Sequence, residues 1–171
     1  TQEKRNNSDI HTWQGEANLF HTFHDESTLD VKAYYFYSER GLPGAVILYN
    51  PKAEERLWDE NFFTQARYKK TFSPKWTLQA QAKFNHSWNK YEDTDVKYEN
   101  VKQTDINPQD EYYLSAAMLY QPVKGLELSL AQDGFNSTLR TNITDRPNPL
   151  RYSSLTALNG RFQWRRIQRA G

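Results

Sequence analysis

From Trp76 to Trp88 every second residue is apolar or aromatic (Trp76, Leu78, Ala80, Ala82, Phe84, His86, Trp88), and Gln, Lys, Asn, Ser and Thr fill the places between. Side chains along a strand point alternately to opposite faces, so this run predicts one long strand with an apolar and a polar side. The stretch before it repeats the rhythm through Trp58, Phe62, Thr64, Ala66, Tyr68 and Phe72, and only Ser73-Pro74-Lys75 separates the two. Pro fixes φ and lacks a donor, which suits a tight turn. Trp58 to Trp88 is therefore read as a hairpin. Its arms exceed the roughly 5–6 residues of an ordinary strand and reach the ~9–11 that a tilted strand needs to cross a bilayer.

The same rhythm predicts five more strands. The first runs from Ile10 to Phe23, with Trp13, Gly15, Ala17, Leu19 and His21 in one phase, and ends at the polar turn His24-Asp25-Glu26-Ser27. The second carries Leu29, Val31, Ala33, Tyr35 and Tyr37 and ends at Ser38. After the hairpin, the fifth runs from Tyr112 to Gln121 and turns at Pro122-Val123-Lys124-Gly125. The sixth begins Leu126, Leu128, Leu130 and loses phase at Gln132-Asp133-Gly134-Phe135, read as a bulge or an early end. The seventh extends from about Tyr152 to Trp164. The predicted fold class is all-β: an antiparallel up-and-down meander of about seven long strands, part of a transmembrane β-barrel, with residues 1–171 as one partial barrel segment.

Connection lengths sharpen this. Short turns follow Phe23, Phe72 and Gln121, whereas long connections follow Ser38, Lys90 and Leu139. The first long one encloses an apolar knot, Ala45-Val46-Ile47-Leu48-Tyr49; the second, Lys90 to Asp110, carries most of the local acid; the third spans Arg140 to Leu150. A soluble meander has no reason to collect its long loops at one end, whereas outer-membrane barrels have short periplasmic turns and long outward loops. Phe23, Phe72, Trp76 and Tyr120 lie by the short turns, and Tyr37, Trp58, Trp88 and Tyr112 by the long loops, as interfacial aromatics do.

Composition adds limits. Aromatics reach 15% while mean hydropathy is −0.96, a pairing expected when half of each strand faces lipid and half a wet lumen. A soluble sheet with one wet face gives similar totals. A net charge of +1, from 22 Lys and Arg against 21 Asp and Glu, excludes a polybasic nucleic-acid arm. Without cysteine there are no disulfides or thiolate metal sites. No apolar run reaches the ~18 residues of a membrane helix. The absence of a leader, and Met118 as the one methionine, make Thr1 read as a cut in a longer protein.

Few residues suggest chemistry. Glu92, Asp93 and Asp95, with Glu99 and Asp105, place oxygen ligands at short spacing in one outward loop. Calcium takes such ligands, although the Gly and spacing of an EF-hand are missing; a calcium loop and an ordinary solvated loop both remain open. His11, His21, His24 and His86 lack metal-ligand spacing, and interfacial packing is expected of His21 and His86. No nucleophile elbow occurs, and Asp59 and Glu60 project to opposite faces, so no catalytic residue and no enzyme is expected. Four Asn-X-Ser/Thr sequons read as composition noise on a bacterial barrel. Gln65, Arg67, Lys69, Gln79, Gln81, Lys83 and Asn85 share the polar phase and would line a lumen or a solvated face.

Ser38-Glu39-Arg40-Gly41-Leu42-Pro43-Gly44, then Leu57-Trp58-Asp59-Glu60-Asn61-Phe62-Phe63 and the Tyr68-to-Trp76 turn, resemble the barrel of TonB-dependent outer-membrane receptors, cobalamin and iron-siderophore branch. The resemblance implies a barrel of roughly 22 strands in the outer membrane of a Gram-negative bacterium, in contact with its lipid and plugged by an N-terminal domain. It also implies import of a scarce iron chelate or cobalamin, energised by the TonB protein through an N-terminal segment absent from this chain, and loops that order around calcium. Neither a plug, a TonB box nor a barrel-closing terminal aromatic strand is found, so the chain is expected to be a fragment of the barrel. The rival readings are a soluble β-sandwich or lipocalin-like barrel that binds a small ligand or glycan, and a small closed outer-membrane barrel.

An open sheet with an apolar face must hide that face, so the isolated chain is expected to self-associate in the absence of detergent. Light scattering checks this, and a monodisperse monomer in plain buffer would contradict it.

Overall fold

The computed structural model describes residues 5–44, 53–94, 102–145 and 147–163. Among these, seven strands follow one another: β1 (Ile10–Thr22), β2 (Thr28–Gly41), β3 (Arg56–Ser73), β4 (Trp76–Asp93), β5 (Gln103–Val123), β6 (Leu126–Leu139) and β7 (Leu150–Phe162). Each pairs antiparallel with the next to make one sheet in chain order. The predicted all-β meander is therefore present. The described residues of β1 and β7 do not pair with each other, so among the described residues the sheet has two open edges.

Among the described residues the sheet is a single layer without a core. Among the described residues the only buried apolar side chain is Ala53, and nothing covers either face. The accessible surface is 13497 Å², against about 8,800 Å² for a compact monomer of 20.2 kDa. Cohesion comes from the ladder of main-chain hydrogen bonds and from cross-strand pairs. On one face Trp76 stacks on Tyr120 at 4.1 Å and Phe84 leans on Tyr112 at 5.0 Å.

The short connections are 23–27, 74–75 and 124–125; the long ones are 42–55, 94–102 and 140–149. Each short turn has its own device. Asp25 Oδ1 accepts from the Ser27 amide and hydroxyl, with Glu26 at φ 61. Lys70 binds the other oxygen of Asp25 at 2.7 Å. That ammonium first, and then the two Ser27 donors, hold the Asp25 carboxyl well below the usual carboxylate range. Gly125 adopts φ 90, which a side chain would resist. A bulge precedes each two-residue turn, in the register between Thr71 and Ser73 and between Tyr120 and Val123.

The turns are staggered. Lys69 stands opposite Thr28, yet β3 continues to Ser73; Trp76 stands opposite Tyr120, yet β5 continues to Val123. The far end drifts the same way, because Gln103 meets Asp93 whereas the last residue of β6, Leu139, meets Gln109. The register therefore drifts steadily in one direction across the sheet.

Three boundaries differ from expectation. β4 runs on to Asp93 and β5 begins at Gln103, inside the stretch Lys90 to Asp110 that reads as loop. Acids and Pro108 made it look irregular. The Pro108 carbonyl accepts from Arg140 N at 2.9 Å, so its missing donor points to the same side, away from β4, and costs no rung there. β6 shows no bulge at Gln132-Asp133-Gly134-Phe135; its register with β5 and β7 continues unbroken. There the side-chain chemistry changes phase and the backbone does not. The apolar knot at 45–49 and Trp164 lie outside the described residues.

Ahead of β1, residues 5–9 fold over the outer ends of β2 and β3. Asn7 Nδ2 donates to the carbonyls of Glu55 (2.7 Å) and Leu42 (3.2 Å), Arg56 binds Asp9 and Glu39, and Gly41 N donates to Asp9 O. A Cβ on Gly41 would stand 2.6 Å from the Asn7 carbonyl oxygen. Gly41→Ala is therefore expected to cost about 1–3 kcal/mol in denaturant unfolding and to raise hydrogen exchange at residues 5–9 first.

Candidate functional site: the polar face of the sheet

The register sorts the side chains onto two faces. Gln65 meets Lys83, Arg67 meets Gln81, Lys69 meets Gln79 and Phe63 meets Asn85, so all seven polar-phase residues picked from the sequence share one face. The structure brings them together as a continuous field across β3 and β4. Neighbouring strands extend it with Glu16, Asp30 and Lys32 on one side and Glu111 and Ser137 on the other.

This face is tied by short polar contacts. Arg67 places Nε and Nη2 on one oxygen of Asp30, at 3.1 and 2.6 Å, and Lys32 binds Glu16 at 2.8 Å. Asn61 donates to Asn85, Asn85 to Glu111, and Gln109 to both Glu111 and Ser137, which makes a row across four strands. Towards the outer end, Arg40 and Asn89 both donate to Asp59. With the Arg67 side chain 64% exposed, each such ion pair contributes only ~0.2–1 kcal/mol. The arrangement is a hydrogen-bonded and ion-paired field of donors and acceptors that runs from β1 to β6.

Sequence reasoning missed the aromatic part of this face. Phe63 stacks on Tyr34 at 5.3 Å, and Lys83 and Lys32 lie over its ring at 4.9 and 6.0 Å. The signal was present as the adjacent aromatics Phe62-Phe63 and Tyr34-Tyr35, because two in a row must put one on each face.

Of the acidic trio, the described members Glu92 and Asp93 diverge. Glu92 lies opposite Arg56 and Thr104, and Asp93 opposite Gln103, so the two side chains leave opposite faces of β4. Lys102 and Lys90 bind Glu92 at 2.8 and 2.7 Å and hold its carboxyl below the ordinary value, Lys102 foremost. Asp95 lies outside the described residues. Among the described residues no three His, Asp or Glu converge on a common point.

The opposite face is apolar where the polar one is wet. Its middle rows are Leu19-Val31-Ala66-Ala82-Leu114 and, one step outward, Ala17-Ala33-Thr64-Phe84-Tyr112. Small side chains there leave a shallow groove of about 600 Å³ past Ala80, Ala82, Ala116 and Gly134. Further out the face turns polar: His86 Nδ1 lies 2.6 Å from Asp110, which also receives Arg140 at 2.9 Å. His86 is thus hydrogen-bonded to Asp110 at the border of the apolar band. His21 packs edge-on against Phe23 at 4.5 Å.

No family model matches this chain, and no curated protein matches it. Its function rests on the two faces themselves.

Phe63 is the one ring that Tyr34, Lys32 and Lys83 share. Phe63→Ala is expected to lower stability by about 1–2 kcal/mol, measured by denaturant unfolding in detergent, and Phe63→Leu by less than half as much.

Proposed function

We propose that this chain is a stretch of barrel wall from a TonB-dependent receptor in a Gram-negative outer membrane. The observation that carries the reading is the coreless single layer: an apolar band on one face, a hydrogen-bonded polar field on the other, and every short connection at one end. In a bilayer both faces are satisfied, because lipid covers the apolar band and water or an enclosed domain meets the polar one. In water the same sheet leaves Trp13 72%, Leu114 64% and Leu158 79% exposed.

Three further features support it. Roughly ten residues of each strand, counted from its short turn, suffice to cross the hydrocarbon. Beyond that depth β3, β4 and β5 carry charges on both faces, such as Arg56, Lys90 and Glu92 on the side that is apolar lower down. Aromatic pairs Trp76–Tyr120 and Phe84–Tyr112 bracket the band like interfacial girdles. The free edges of β1 and β7 call for further strands, which a ring of larger count supplies.

In this reading the parent receptor binds and imports a scarce ligand, an iron chelate or cobalamin, and takes its energy from TonB through a segment outside this chain. The wall contributes the lipid seal and one side of the solute path.

Single cysteines test the sidedness. In lipid vesicles a water-soluble maleimide is expected to label Gln81→Cys and Ser115→Cys and to spare Ala82→Cys and Leu114→Cys. Equal labelling of adjacent residues would reject a lipid-covered face.

A further inference from the structure

The polar face has a surplus of positive charge at one place. A recess of about 270 Å³ opens there, bordered by Asp30, Lys32, Arg67, Lys83, Phe20 and Tyr113. Lys32, Gln65 and Lys83 stand in one row across β2, β3 and β4, with Arg67 two residues further along β3. Strands lie about 4.8 Å apart, so the two lysines flank Gln65 at a backbone separation of about 10 Å.

The carboxylates nearby are already engaged. Asp30 is held by Arg67, Glu16 by Lys32 and Asn18, and Glu111 by Asn85 and Gln109. Lys83 and Lys69, by contrast, have no carboxylate partner among the described residues, and the Lys83 ammonium rests over the Phe63 ring. A cation over a ring at an exposed site is held weakly, and an ammonium forms stronger, shorter hydrogen bonds to an oxyanion. Arg67 spends Nε and Nη2 on a single oxygen of Asp30, which leaves further guanidinium donors for a bound group.

We infer that this recess binds a small di- or tricarboxylate, with one carboxylate taken by Lys83 and a second by the Lys32 and Arg67 side. The assignment rests on the reading that the polar face borders a water-filled lumen, and it places an anion-selective station on that wall. Gln65 and Gln81, between the cations, donate to the remaining oxygens, and Tyr113 and Phe20 limit the size of what enters. The engaged acids Asp30 and Glu16 fix the cations in place and keep the surplus small, so binding is weak and reversible, as a station on a path requires.

The test is calorimetric titration of the full chain in detergent micelles with citrate, and with glycerol as the uncharged comparison, at low ionic strength. Citrate is expected to bind and glycerol not. Lys83→Gln should weaken citrate about tenfold, Lys83→Arg should retain it, and Lys75→Gln, in the β3–β4 turn, should leave it unchanged. Added sodium chloride should weaken binding to the unaltered chain, a readout that no variant's folding affects. Absence of citrate binding, equal binding by Lys83→Gln, or indifference to salt would overturn the site. If the cysteine pattern holds while citrate fails, the anion station alone is wrong; if both faces label equally, the barrel-wall reading is wrong.

Discussion

Every property of this chain follows from a backbone ladder that must be completed without a core. Main-chain donors and acceptors are obligatory hydrogen-bonding groups, and a single sheet satisfies them only between neighbours. Long strands meet that demand inside the sheet and, among the described residues, leave it without a neighbouring strand along the outer edges of β1 and β7. The sheet closes one smaller gap by itself. Where β6 stops short, the Asn142 side-chain amide donates to Thr104 O at 2.6 Å and accepts from Ile106 N at 2.7 Å, taking the part of a missing strand along the outer edge of β5. Thr141 and Arg140 anchor the same segment through Asn107 and Pro108. Such a cover is how proteins keep a free edge from recruiting another chain.

With the ladder supplying cohesion, the side chains are released from building an interior and are free to make two different faces. That freedom explains why small residues such as Ala66, Ala82 and Gly134 coexist with exposed Trp and Leu on one face. On the other face, charges are solvated rather than buried, and the ion pairs among them individually contribute little to stability. The division is sharpest across β2 to β5. In β6 and β7 it blurs: Gln132, Ser154 and Thr156 form hydrogen bonds on the otherwise apolar side, and Phe135 sits on the polar side beneath Arg151.

Much of this was legible in the sequence, and the limits of legibility have physical causes. Alternation at period two located the strands, and Gly, Pro and Asp placed the three short turns, because these depend on local backbone chemistry alone. The outer half of β5 was missed because alternation fades there; Asp105, Asn107 and Asp110 are polar on both phases although the ladder continues. The Gln132 to Phe135 stretch misled for the converse reason, since the residues change phase while the strand does not. The Tyr34–Phe63–lysine cluster was overlooked because faces were assigned by majority, and a minority aromatic on a wet face reads as noise.

By itself, then, the sequence determined the local facts: strand identity, turn position, the two-faced pattern and the one-ended collection of long connections. All of these arise from periodicity and turn chemistry within a few residues. Only the tertiary structure decided register, and with it the stagger of neighbouring strands, the opposition of Lys32, Gln65 and Lys83 in one row, and the separation of Glu92 from Asp93. Register is set by pairing between residues up to dozens of positions apart. No local pattern encodes it, because a shift of two residues preserves every face while it changes every neighbour.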